Sequence, residues 1–183
     1  MEDDGTVFIR IVHDGTTGVG VNKHIKVLDA CLYPLAPDIK ATLRRQTSRR
    51  TDHGGLVVDV SGAHRTVLVR EEYWPLQVCQ MHGGGDSFTN TVGTLGISSA
   101  AYWWGRLAAA VHRAGLSVVS ALWRLWALLF ADGWNLVAEA ARRERALFGF
   151  LWWFVALRVP LSWHKVQGGA SYTWVGYETC LRY

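Results

Sequence analysis

The sequence predicts an α+β domain with an antiparallel sheet. Short apolar or β-branched runs sit in pairs around glycine-rich or Asp-Gly turns, as hairpins require. Longer Ala- and Trp-rich segments separate those pairs, at helical rather than strand length. No internal repeat or low-complexity linker interrupts the pattern. The 183 residues suit one domain, and a half-hydrophobic composition with ten tryptophans is enough for a core.

The elements follow in order. VFIRIVHD, residues 7–14, alternates and reads as a strand, and GTTGVGVN is a glycine-rich turn. APDIKATLRRQ reads as a short helix started by Pro37 and Asp38. TSRRTDHGG is a polar, basic loop. GLVVDVSG is a buried strand that carries Asp59 near its end. VLVR continues extended, and WPLQVCQ and SFTNTVGT flank HGGGD as a hairpin with a glycine-rich tip. Residues 98–116 form a helix with Ser98 or Ser99 as N-cap. RLWALLFA and WNLVA flank Asp132-Gly133, a strong hairpin signal, because a type I′ turn needs positive φ twice. Residues 138–157 form a helix with a charged start and an aromatic body, and SWHK and YTWVGYE read as two short strands.

Charge and composition bound the partners. A net charge of +4 and a pI near 9.1 are compatible with nucleic acid without requiring it. Cys31, Cys79 and Cys180 lie far apart, with no CxxC pair, which points to a reducing compartment and no zinc site. The acidic start MEDDG is unlike a secretory signal, and Asn-x-Ser/Thr is absent. The expected location is cytoplasmic or nuclear, not secreted. The apolar runs LWALLFA and LFGFLWWFVAL fall short of the roughly 20 residues that span a bilayer. They read as a core strand and a core helix, with no membrane and no evident protein partner.

Asp59 and Asp132 stand out as acids in apolar surroundings. A buried carboxylate is costly unless paired or bound to a cation, and a divalent metal between two of them reverses their repulsion. Two-metal sites for phosphoryl transfer are built this way. The plainer alternative is that Asp132 serves the turn and Asp59 caps the helix that follows. Other look-alikes fail. HGGG at residues 82–85 is followed by no G-x-S-x-G elbow. Gly15 to Gly20 has phosphate-loop glycine spacing, but Val21 stands where lysine is required. GVG lacks the third glycine of a dinucleotide fingerprint, and the histidines, His112 and His164 among them, show no ligand spacing. Arg44, Arg45, Arg49 and Arg50 form one basic run, and Arg142, Arg143 and Arg145 another. Such runs are usually solvated faces, or they track a phosphate backbone. The tryptophans read mostly as core.

Taken in order, these motifs resemble reverse transcriptases of mobile, retrotransposon-like elements. LVVDVSGAH resembles the first catalytic block, TLGISSAAYWWGRL the second, and LLFADGWNLV the Tyr-x-Asp-Asp hairpin. VPLSWHK resembles the lysine-ended fourth block, and YTWVGYE the primer-grip hairpin. RIVHDGTTGVGVN resembles the fingers segment that runs from Arg to Asp to Asn. The blocks cover nearly the whole chain in the family's order. The resemblance implies a right-hand polymerase with an antiparallel palm sheet packed on helices. Residues 1–55 would be a partial fingers region and 56–183 a palm ending in the primer grip, one continuous domain lacking a thumb.

The resemblance also implies roles. Asp59 and Asp132 would ligate two Mg²⁺ ions for nucleotidyl transfer, with RNA or DNA template-primer and dNTPs as substrates. Lys165 would act as proton donor to the leaving pyrophosphate. Arg10, His64, Gly96 and Ser98 would bind the nucleotide, with His64 at the position of the aromatic that blocks a ribose 2′-hydroxyl. Trp174, Gly176 and Tyr177 would hold the primer end. The chain departs from the family at Gly133, where a second hairpin acid is expected, and at His64, where Tyr or Phe is usual. No fingertip lysine, thumb, ribonuclease H or integrase block is visible. These departures imply an impaired polymerase, or a partial or decayed copy. Two other readings stay open: an inactive mobile-element relic that at most binds nucleic acid, and a Trp-rich membrane-associated or interaction protein with Trp103, Trp104, Trp152 and Trp153 exposed on one face.

Overall fold

The computed structural model describes residues 12–17, 20–47, 52–80 and 85–181. Arg10, Arg49, Arg50 and most of the HGGG tip lie outside the described residues, as does most of the expected strand at 7–14. The chain divides into two compact units, one of residues 1–30 and 64–104, the other of residues 31–63 and 105–183.

The second unit is built on a four-stranded antiparallel sheet. Its strands are β1 (His53–Asp59), β4 (Leu125–Phe130), β5 (Gly133–Glu139) and β6 (Gln167–Gly169), in the order β4-β5-β1-β6. Both faces of the central pair are covered, so β1 and β5 read as near-continuous apolar runs. On one face Val58, Trp134 and Leu136 are fully buried with Phe150 and Phe154 of α3 (Arg143–Ala156). The Trp134 and Phe154 rings meet edge to face at 5.0 Å, and Phe150 meets Phe154 at 5.2 Å. On the other face Val57 and Val137 cluster with Ile39 of α1 (Ala36–Thr47) and with Tyr172, Trp174 and Leu181.

Tyr172 and Trp174 come from β7 (Ser171–Trp174), which pairs with β8 (Tyr177–Cys180) in a separate hairpin. Its turn, Val175-Gly176, has positive φ at both residues (49° and 75°), the geometry of a type I′ turn. Inward-facing Tyr172 lies over Gly55 of β1, whose missing Cβ makes room for the phenol ring.

The first unit holds a small hairpin, β2 (Val78–Gln80) with β3 (Ser87–Thr89), on either side of the predicted glycine-rich tip. The amide of Gly93 donates to Val67 and that of Val69 to Thr91, so 67–70 is extended as expected. Both units share α2 (Ser98–Leu122).

Three local expectations are corrected. The helix placed at 138 begins at Arg143, because Val137 and Ala138 are held as strand by β1 on one side and β4 on the other. SWHK is no strand: Trp163–Lys165 is one 3₁₀ turn, and the strand beside β1 is Gln167–Gly169. The helix expected to end at 116 runs to Leu122, with Val119 buried on its inner side. The tryptophans divide more evenly than expected, with Trp104, Trp134 and Trp174 buried and Trp103, Trp152 and Trp163 exposed.

Candidate functional site

The site grows from the end of the β1–β5 pair. Asp59 closes β1 and faces Gly133, the first residue of β5, across the ladder. Asp132 immediately precedes Gly133 in the β4–β5 turn, and its carbonyl accepts from the Val60 amide at 2.9 Å. The two acids therefore stand at the ends of adjacent antiparallel strands. The turn differs from the expected Asp-Gly geometry. Its two loop residues are Ala131 and Asp132, and only Ala131 has positive φ, 52°. Gly133 is already strand, paired with Phe130. The burial argument for the acids is also corrected: Asp132 is exposed and the Asp59 side chain is 29% exposed, because the turn projects from the sheet end.

Lys165 reaches the same place from the other side of β1. The Ser162 amide donates to the Asp59 carbonyl at 2.8 Å, which hangs the 3₁₀ turn beside the strand end. The Lys165 amide then bonds back to Ser162, and its ammonium lies 3.5 Å from Asp59 Oδ2. With both groups partly in water, this pair contributes little to stability. It does place a cation beside Asp59 at the end of β1.

Beside Gly133 lies Trp174. Its side chain is 3% exposed, and its indole N–H is buried without a hydrogen-bond partner. Gly176 forms the hairpin turn, and Tyr177, opposite Trp174 in register, is 49% exposed. Of the three expected primer-end residues, then, Trp174 faces the sheet, and Tyr177 is the exposed ring.

A further residue of the second unit escaped the sequence reading. Tyr33 packs on Phe130 at 5.1 Å between ring centroids. Its phenol is pushed up chiefly by burial, then by Cys31 and the charge of Asp132. Nothing in its immediate sequence marks it, since it meets the hairpin only through folding.

Gly96, Ser98 and His64 belong to the first unit. Gly96 has φ 95°, and a Cβ there would collide with the His13 carbonyl. Asn22 ties this turn together: its Nδ2 donates to the Gly96 carbonyl at 2.7 Å, and its Oδ1 accepts from the Ser98 amide at 2.9 Å. Asn22 is the last residue of the Arg-Asp-Asn segment and is positioned as a clamp. Asp14, in the same segment, accepts from the amides of Thr17 and Thr16, which holds its carboxyl below the usual range. His64 lies in the single 3₁₀ turn Ala63–Thr66, partly exposed, with its carbonyl against Gly93.

Among the described residues no group of three or more His, Cys, Asp or Glu side chains is placed to hold a metal ion. Magnesium commonly takes one or two carboxylates and completes its shell with water and substrate phosphates, and Asp59 and Asp132 are the two carboxylates at the ends of these paired strands. Among the described residues no helix is long and apolar enough to cross a membrane. The one-face tryptophan expectation also fails: Trp104 is buried, and Trp153 donates to the Val111 carbonyl at 3.1 Å.

No protein-family model matches the chain, and no curated protein does. Solved structures do. The telomerase of Candida albicans, in complex with a TWJ fragment of telomeric RNA, superposes with a TM-score of 0.59 at 10% identity, over 82% of this chain and 33% of that one. Apo telomerase of Candida tropicalis, truncated from the C-terminal domain, gives 0.54 at 11% identity, over 82% of this chain and 39% of that one. The chain thus spans between a third and two fifths of those telomerase chains, and its fold is similar to theirs over that part.

Proposed function

We propose that the chain is the core of an RNA-directed DNA polymerase of retrotransposon-like origin, acting by two-metal nucleotidyl transfer. The observation that carries this reading is the meeting of Asp59, Asp132 and Lys165 at one end of the β1–β5 pair, within a reverse-transcriptase-like fold. Asp59 and Asp132 would hold Mg²⁺, which supplies charge neutralisation for the primer hydroxyl and the triphosphate. Lys165, the cation already beside Asp59, would donate a proton to the leaving pyrophosphate. The clamp of Asn22 on Gly96 and Ser98 would shape the surface under the template-nucleotide pair, with His64 excluding a 2′-hydroxyl. Arg10 would bind the triphosphate, and Tyr177 and Gly176 would support the primer end with Trp174 behind them. Template-primer and dNTPs are the substrates on this reading, and the partial fingers (1–55) and palm (56–183) would form the polymerase core.

Gly133 favours a second reading, an inactive relic that at most binds nucleic acid. One carboxylate fewer beside two cations weakens transition-state stabilisation, by about 3–4 kcal/mol if the rate falls roughly 10²–10³-fold. Primer extension on an RNA template with Mg²⁺ separates the two. The polymerase reading expects extension by the native chain that disappears in Asp59→Ala. No extension by either protein, with retained binding of template-primer, would leave the relic.

A further inference from the structure

We infer that Gly133 is a positioning residue: the space left by its missing side chain is bordered by the Trp174 indole and seats the Asp59 carboxylate. Its consequence for metal binding rests on the reading of Asp59 as a ligand. The seat itself rests on geometry alone.

Gly133 does not need to be glycine for its backbone. It is a strand residue without positive φ, paired on both sides with Asp59 and Phe130, and glycine inside a strand is otherwise unfavourable. What requires glycine is space. A Cβ at 133 would lie 2.8 Å from Asp59 Oδ1 and 3.4 Å from Trp174 Nε1, the first well inside the roughly 3.5 Å at which nonbonded heavy atoms pack comfortably. The same device recurs two residue pairs along the hairpin, where Tyr172 of β7 covers Gly55 of β1. The two inward aromatics of β7 thus lie beside two glycines of the sheet, Gly55 and Gly133.

The two walls of the seat differ in stiffness. Trp174 is buried in a cluster with Val57, Val137 and Tyr172 and has nowhere to go. Asp59 is partly exposed and held on its outer oxygen by Lys165 at 3.5 Å. A side chain at 133 therefore displaces the Asp59 carboxylate, not the indole. An aspartate there enters the place that Asp59 already occupies, so it does not simply add a third acid to an unchanged pair.

The test uses the full chain in four forms: native, Gly133→Ala, Asp59→Ala and the double variant. Melting temperature without metal reads the seat, and Mn²⁺ affinity, from the free-ion signal in electron paramagnetic resonance, reads its consequence. Gly133→Ala is expected to lower the melting temperature by roughly 3 °C when Asp59 is present, and to leave it unchanged or raise it when residue 59 is alanine. It is expected to weaken Mn²⁺ binding roughly tenfold, although it changes no charge. An equal temperature shift in both backgrounds would overturn the seat. Native Mn²⁺ affinity in Gly133→Ala would overturn its role in positioning. If the native chain binds Mn²⁺ no better than Asp59→Ala does, the metal reading fails, and the melting temperatures still decide the seat. If Gly133→Ala does not fold, recovery of folding in the double variant supports the seat, and failure there overturns it.

Discussion

Tyr172 offers a test of the packing that holds the hairpin on the sheet. Its phenol is buried, and it donates to Asn135 Oδ1 at 2.9 Å. Burial pushes its pKa up to about 12 from an ordinary 10.0. Because the folded value is the higher one, the neutral phenol is favoured by the fold. The contribution is complete below pH 10 and is lost as pH rises toward 12, since the unfolded chain ionises first. The linkage relation gives a loss of about 0.4 kcal/mol at pH 10 and about 1.4 kcal/mol at pH 11, with a limit near 2.7 kcal/mol. Urea unfolding of the native chain and Tyr172→Phe, followed by circular dichroism at pH 8, 10 and 11, isolates this residue, because the other tyrosines and the lysines cancel in the difference. At pH 8 the phenylalanine variant should be weaker by about 1 kcal/mol, for leaving the Asn135 carbonyl unpaired. That deficit should close, and by pH 11 reverse. A constant gap across the range would mean that Tyr172 ionises as freely in the fold as outside it, and the burial argument would be refuted.

Asn22→Ala removes the clamp on Gly96 and Ser98 and leaves the turn without its side-chain partner. Hydrogen exchange at the Ser98 amide should accelerate roughly 3- to 10-fold, for a loss of about 0.5–1.5 kcal/mol, while Asn22→Asp, which keeps the acceptor, should lose less. Burial, and secondarily the neighbouring Arg113, depresses the pKa of His112. Its contribution is therefore present above the ordinary histidine value near 6.5 and is lost as pH falls below it. Chemical denaturation between pH 7 and pH 5 should show a stability slope that is reduced in His112→Gln, and an identical slope in both proteins would contradict the assignment.

The elements that are legible in the sequence are those fixed by local pattern. The β-branched run ending in Asp59 and the two apolar strands around Asp132 each carry their signal within ten residues, whereas YTWVGYE, read locally as one short strand, is a hairpin of two. Local pattern misleads where a distant neighbour decides. Ala138 has helical company on its C-terminal side, yet two flanking strands hold it extended. Asp-Gly is the strongest hairpin dipeptide, but here the strand ladder continues through Gly133 and moves the turn back to Ala131, which accepts the strained φ itself. SWHK reads as a short strand. Its geometry is instead set by the backbone bond from Ser162 to Asp59.

The same distinction governs the site. Asp59, Asp132 and Lys165 are legible because their order along the chain resembles a family pattern, which already encodes which distant segments meet. Nothing of that kind marks the complementarity of small and large residues between the sheet and β7. Gly55 is 117 residues before Tyr172, and Gly133 is 41 before Trp174. Read locally, the first is one of two glycines opening a strand, and the second is a missing acid. Folding makes both of them floors for aromatic rings. A loss of charge and a gain of packing are then the same substitution seen from two sides. A carboxylate side chain at 133 and the present placement of Trp174 compete for one space. Gly133→Asp, made without relieving the indole, should therefore displace Asp59 rather than rebuild the acidic set.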